Sequence, residues 1–94
     1  MTEKNKTTTT KWWVYFLRCS DNSLYAGVTT DIHRRLDEHN NSNLGAKYTR
    51  ARRPVRLAYL ETAENKSLAC KREYQIRHLS KQQKEQLVSK YVQN

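Results

Sequence analysis

The segment YAGVTTDIHRRLDEHN, residues 25–40, holds two adjacent arginines between a short apolar run and a histidine. On a helix each residue advances by about 100°, so positions three and four apart share a face. Ile32 and Leu36 mark the core side, and Arg35 and His39 fall in the same sector. Arg34 lies on the far side, with Asp37 and Glu38 flanking that solvent face. A guanidinium at the core margin is costly unless it is paired or lines a polar cavity. Arg35 therefore either snorkels or pairs with a carboxylate at the helix edge, or it serves a site. In a site, its two donors could face a phosphate and stay charged at any working pH.

Glu73 is the second odd charge. It is the only acidic residue between Lys66 and Lys84, four residues after Ala69 and three before Ile76, at the border of an apolar helix face. It reads as a salt-bridge partner or as a metal ligand, because Mg²⁺ often takes one or two protein carboxylates and completes its shell with water and phosphate oxygens. Tyr15 and Tyr25 sit mid-strand and need no explanation as core aromatics. An odd hairpin loop (Asp21, Asn22, Ser23) projects them from the same face of a sheet, and a two-residue loop from opposite faces. Gly27 follows at a strand end, where a missing side chain permits close approach of a helix or a phosphate.

The elements that must position these residues follow from pattern. KWWVYFLRCS is an aromatic and β-branched run with little alternation, which predicts a strand covered on both faces. After the turn SDNS, SLYAGV is a second strand, and the two form a hairpin. A first helix is expected from Thr30 or Asp31 to about Asn40, capped by Thr29 or Thr30 with Asp31 in its first turn. NNSNLGAKYTRARRP reads as a loop closed by Pro54, and VRLAYLE as a third strand. Asn65 to Leu79 is helical by the spacing of Leu68, Ala69, Ile76 and Leu79. Ser80 and Gln83 form a capping box that opens a last helix to about Tyr91. The order β-β-α-β-α-α predicts a small α+β domain with a three-stranded, mainly antiparallel sheet flanked by helices.

With 94 residues there is room for one domain, expected over residues 11–91 behind a disordered polar tail over 1–10. Eighteen Lys and Arg against nine Asp and Glu leave a net charge of +9. That excess favours a polyanionic partner, nucleic acid before an acidic membrane surface. No apolar run approaches the ~20 residues that span a bilayer, and MTEKNKTTTT lacks the apolar core of a signal peptide. A cytoplasmic protein without a membrane is the expectation. Cys19 and Cys70 belong to no CxxC or CxxH spacing, and His33, His39 and His78 are scattered, which speaks against a disulfide or a zinc site. From His39 to Leu60 there is no acidic residue, while Lys47, Arg50, Arg52, Arg53 and Arg56 crowd one stretch. This is either a solvated basic loop or a surface that tracks phosphates, with Tyr48 to stack on an unpaired base.

WVYFLRC, LYAGVTTDIHRRLDEHN and KREYQIR together resemble the GIY-YIG nuclease domain, and within it the small stand-alone bacterial, YhbQ-like branch, from about Trp12 to Leu79. The specific part is the combination: Tyr25-x-Gly27, an Arg ten residues after Tyr25, a His four later and a Glu on a later helix. The resemblance implies that Tyr15 and Tyr25 are the tyrosines of the two motifs and that Gly27 is the second motif's glycine. It implies too that Arg35 is the catalytic arginine, that His39 occupies a His-or-Tyr position and that Glu73 is the metal-binding carboxylate. Two departures stand out: Trp13 replaces the first motif's glycine, and Val28 lies where excision-repair relatives carry a Lys.

The activity the resemblance implies is a metal-dependent DNA endonuclease with one Mg²⁺ or Mn²⁺; structure selectivity, service in repair or recombination and a separate targeting protein are expectations of the same kind. RNA is an open alternative substrate, and a non-catalytic nucleic-acid-binding module is the alternative function. Tyr15 is the general base by resemblance, whereas His39, with an ordinary pKa near ~6.5, is the easier base on its own chemistry.

Overall fold

A computed structural model describes residues 10–92; most of the polar tail expected over 1–10 lies outside them. The chain runs through β1 (Trp12–Arg18), β2 (Leu24–Thr29), α1 (Ile32–Asn41), a four-residue α2 (Lys47–Arg50), β3 (Arg56–Ala63), α3 (Lys66–Arg77) and α4 (Lys81–Val92). The strands form one antiparallel sheet in the order β2-β1-β3. It is the expected three-stranded architecture, with α2 as an addition inside the stretch read as loop.

The central position of β1 explains why its sequence lacks alternation. Val14 to Leu17 are all buried, and successive side chains go to opposite faces. Val14 and Phe16 pack with Ala58, Ala69, Ile76 and Val88, the layer made by α3 and α4. Tyr15 and Leu17 pack with Cys19 and Val55 and meet Ile32 and Leu36 of α1 on the other face. A register shift at Phe16/Leu17 places one extra residue in β3, so that Leu57 and Leu60, three apart, both turn to the α1 face.

Asp31, and neither threonine, caps α1: its carboxylate accepts from the Arg34 N–H at 3.1 Å. Thr29 is unavailable because it closes β2 in a buried position, where its hydroxyl oxygen accepts from the Asp31 N–H. Asn65 caps α3 through the Leu68 N–H, and the Ser80/Gln83 box forms as expected, at 3.0 and 3.1 Å. Leu68, expected on the apolar face of α3, is exposed instead, because it lies one position off the Ala69/Ile76 line that meets the sheet. Arg18 holds α4 against the sheet through two hydrogen bonds to Glu85, at 2.5 and 2.7 Å.

Candidate active site

Tyr25 pairs with Leu17 and Gly27 with Tyr15 across the β1–β2 ladder. The loop is odd as expected but shifted by one, to Ser20, Asp21 and Asn22 with Ser23 paired to Cys19, and both tyrosines emerge on the α1 face. Cys19 and Ser23 close the turn with a 2.9 Å backbone bond, and Asn22 takes a positive φ of 73°, which asparagine tolerates. The space left by Gly27 is filled by neither a helix nor an open cleft. It holds the phenol of Tyr15, and a Cβ there would stand 2.5 Å from Tyr15 Cζ.

His39, at the C-terminal end of α1, is fully buried between the tyrosines. The Tyr15 hydroxyl lies 3.0 Å from its Nε2, and the Tyr25 ring meets it edge-on at 5.4 Å. Burial, reinforced by the positive charge of Arg35, holds His39 down at about 4. Burial also pushes the Tyr15 hydroxyl up to about 12 against the pull of Arg35. The Tyr25 hydroxyl is likewise raised, first by burial, with Glu73 adding to the rise and Arg35 opposing it. Arg35 thus acts electrostatically on Tyr15, Tyr25 and His39 together, and Glu73 acts on Tyr25.

The two arginines separate as the helical wheel requires: the Arg35 side chain is 25% exposed and that of Arg34 54%. Arg35 donates to Glu38 Oε1 at 2.8 Å and to the Leu44 carbonyl at 2.9 Å. Glu38 is therefore not a plain solvent-face residue: it sits between the two arginines, and its spacing three beyond Arg35 was the available signal. Glu73 rises from α3, the helix packed under β1 and β2, and accepts from Arg77 Nε at 2.8 Å. Val28 faces the opposite layer, among the α3/α4 cluster, so it contributes nothing on the tyrosine side.

The basic stretch divides into arginines engaged within the chain and cations that stay exposed. Arg53 is turned inward, donating to the carbonyls of His39 and Ser42 at 2.6 Å each and of Glu38 at 3.3 Å. It caps the open carbonyls of α1 and is committed there. Arg52 is bound to Asp21 at 2.9 Å, with its guanidinium carbon 3.7 Å from the Tyr48 ring centre. Tyr48 in turn stacks on Tyr25 at 5.8 Å and donates to Ser23 Oγ, while its side chain stays partly exposed. Lys47, Arg50 and Arg56 remain exposed. Sequence reasoning missed Thr49, which is fully buried and whose Oγ1 lies 2.8 Å from His39 Nδ1. A neutral residue inside a basic run offered no signal.

The depressed His39 pKa has a consequence for stability. Between its ordinary 6.5 and about 4 the unfolded chain binds a proton that the folded chain refuses. Stability is then complete above the ordinary value and is lost as pH falls through that window, by roughly 2–4 kcal/mol. Glu85, held down at about 2 by Arg18, acts only below the ordinary carboxylate range, so the two effects separate. Urea unfolding from neutral pH down to about 4 is expected to show a falling midpoint, and His39→Gln a flatter profile. Equal profiles for both proteins would contradict this.

As for metal, the described residues contain no group of three or more His, Cys, Asp or Glu able to share an ion. Glu73, a single carboxylate paired with Arg77 at 2.8 Å, would have to exchange that partner to hold a metal, and one carboxylate suits a hard, water-rich ion of the Mg²⁺ kind better than zinc.

Comparison with known proteins gives a consistent result. The model of the GIY-YIG catalytic domain matches residues 11–86. A UPF0213 protein of Desulfotalea psychrophila is 54% identical over 77 residues, covering 82% of this chain and 70% of that protein. One of Halobacterium salinarum is 53% identical over 74 residues, covering 79% and 95%. The solution NMR structure of a UPF0213 protein from Bacillus halodurans superposes with a TM-score of 0.54 at 48% identity, covering 84% of this chain and 83% of that one.

Proposed function

Because the chain belongs to the GIY-YIG catalytic domain family, we propose that it is a metal-dependent endonuclease that hydrolyses phosphodiester bonds of DNA. The family is one of nucleases, which makes nucleic acid the substrate class. The observation that supports the reading most is the gathering of Tyr15, Tyr25 and His39 around the field of one arginine, Arg35, with Glu73 in electrostatic reach.

In this reading Arg35 exchanges Glu38 and the Leu44 carbonyl for two oxygens of the scissile phosphate, which its planar fork suits. Tyr15 keeps its proton at neutral pH, and His39 stands beside it as an uncharged acceptor. As water attacks phosphorus, Tyr15 takes the proton of the water while its own passes to His39 Nε2. The leaving 3′-oxygen departs and is protonated from solvent. Tyr25 orients the water or the phosphate. A Mg²⁺ or Mn²⁺ ion held by Glu73 would supply neutralisation of the phosphate and of the leaving oxygen. Lys47 and Arg50 follow the DNA backbone. Selection of branched or flapped DNA, a role in repair or recombination, and a cytoplasmic location belong to the same proposal.

The test compares wild type with Glu73→Ala on labelled single-stranded, duplex and flapped DNA in Mg²⁺, Mn²⁺ or EDTA. Cleavage by wild type that disappears in EDTA and in the variant is expected. DNA binding that is indifferent to Mg²⁺ at constant ionic strength, with no cleavage in any condition, would replace the nuclease by a non-catalytic binding module.

A further inference from the structure

We infer that Thr49 is a positioning residue that fixes which nitrogen of His39 carries the proton, and with it the direction in which Tyr15 can release one. The inference rests on the nuclease reading only for its catalytic consequence; the proton arrangement follows from three contacts. A threonine hydroxyl has one proton to give and two lone pairs. Thr49 Oγ1 lies 2.9 Å from the Ala46 carbonyl oxygen, which can only accept. The Ala46 carbonyl also accepts from the Arg50 N–H at 3.0 Å, but two oxygens 2.9 Å apart repel without a proton between them, so the proton of Thr49 goes to Ala46. The 2.8 Å contact between Thr49 Oγ1 and His39 Nδ1 must then take its proton from Nδ1. A neutral imidazole has one N–H, so Nε2 is bare and the 3.0 Å contact to Tyr15 runs from the phenol to the ring. The Ala46 N–H also points at Nδ1, at 3.4 Å, and would favour a bare Nδ1, but it is the longest of these contacts and the 2.8 and 2.9 Å bonds through Thr49 outweigh it.

With the opposite tautomer Nε2–H would donate to the Tyr15 oxygen, and Tyr15 would have nowhere to send its proton. The local fold makes the favourable choice stable. Thr49 is fully buried in α2, where a threonine readily bonds the carbonyl three residues back. The segment carrying Ala46 is fixed on α1 from its other side, because Gly45 lies so close that a Cβ there would stand 2.7 Å from the Glu38 carbonyl oxygen. Arg53 ties the end of α1 at the His39 carbonyl itself. The four-residue α2, silent in the sequence pattern, is thereby the part of the fold that orients the imidazole.

The experiment is nitrogen NMR of the histidine-labelled full chain at neutral pH, followed by the same spectrum and single-turnover cleavage for Thr49→Val and Thr49→Ser. The expected wild-type spectrum has His39 protonated on Nδ1 and bare on Nε2, with Thr49→Ser unchanged in spectrum and rate. Thr49→Val, similar in shape but without the hydroxyl, should shift the proton toward Nε2 and cut cleavage roughly 10–100-fold. A wild-type Nε2–H tautomer would overturn the inference without any variant, as would a folded Thr49→Val that keeps Nδ1–H and full activity. The assigned tautomer in a protein that cleaves nothing would sustain the role of Thr49 and sink the nuclease reading instead.

Discussion

Arg35→Ala is expected to cleave DNA roughly 10²–10³ times more slowly than wild type, the usual cost of losing one preorganised donor from a developing oxyanion. Its neighbour provides the control. Arg34 is half exposed and contacts Glu38 at 3.5 Å and Thr29 Oγ1 at 3.3 Å, away from the imidazole. Arg34→Ala should therefore keep a near-wild-type rate. Part of any loss in Arg35→Ala could arise from the fold, since Arg35 also tethers the Leu44 carbonyl. That tether, from a charged donor, contributes roughly 1.5–3 kcal/mol, and thermal melting separates the two causes. Arg35→Lys keeps the charge without the fork and should fall between the two. Equal rates for the Arg34 and Arg35 variants would remove the assignment.

Gly27→Ala is the second large effect, and it reaches the site through packing. The new methyl would occupy the space of the Tyr15 phenol, which is 1% exposed and bonded to His39. The ring is buried within a cluster that Tyr25, Leu36 and Leu60 pack against, so moving it disturbs that packing. Overpacking of this kind costs about 1–3 kcal/mol, a fall of roughly 4–20 °C in melting temperature for a chain of this size. Cleavage should fall further than stability explains, since the displaced phenol can no longer hand its proton to Nε2. A Gly27→Ala protein with wild-type melting and rate would show that the phenol is free to move, contrary to this structure.

These two residues also show where sequence carries information. Arg35 was legible because helical geometry is local: Ile32 and Leu36 define a sector, and the arginine within it is out of place. The strand character of Trp12–Arg18 and the Ser80/Gln83 box were legible for the same reason. Gly27 was legible only as a position of close approach, because the phenol that fills it comes from the neighbouring strand. The contacts of Arg53 and Tyr48 were not legible, since composition sees their charge and ring but not the α1 carbonyls and the Tyr25 face that engage them. The same holds for Thr29 and Asp31: both are good cap residues, and only the buried end of β2 decides between them.

The most direct test of the central claim, hydrolysis of a phosphodiester by this site, is a single-turnover reaction in heavy-oxygen water with flapped DNA, excess wild-type protein and Mg²⁺. Water attack that expels the 3′-oxygen predicts heavy oxygen on the new 5′-phosphate and an unlabelled 3′-hydroxyl. DNA bound tightly and recovered intact, with no label incorporated, would contradict it.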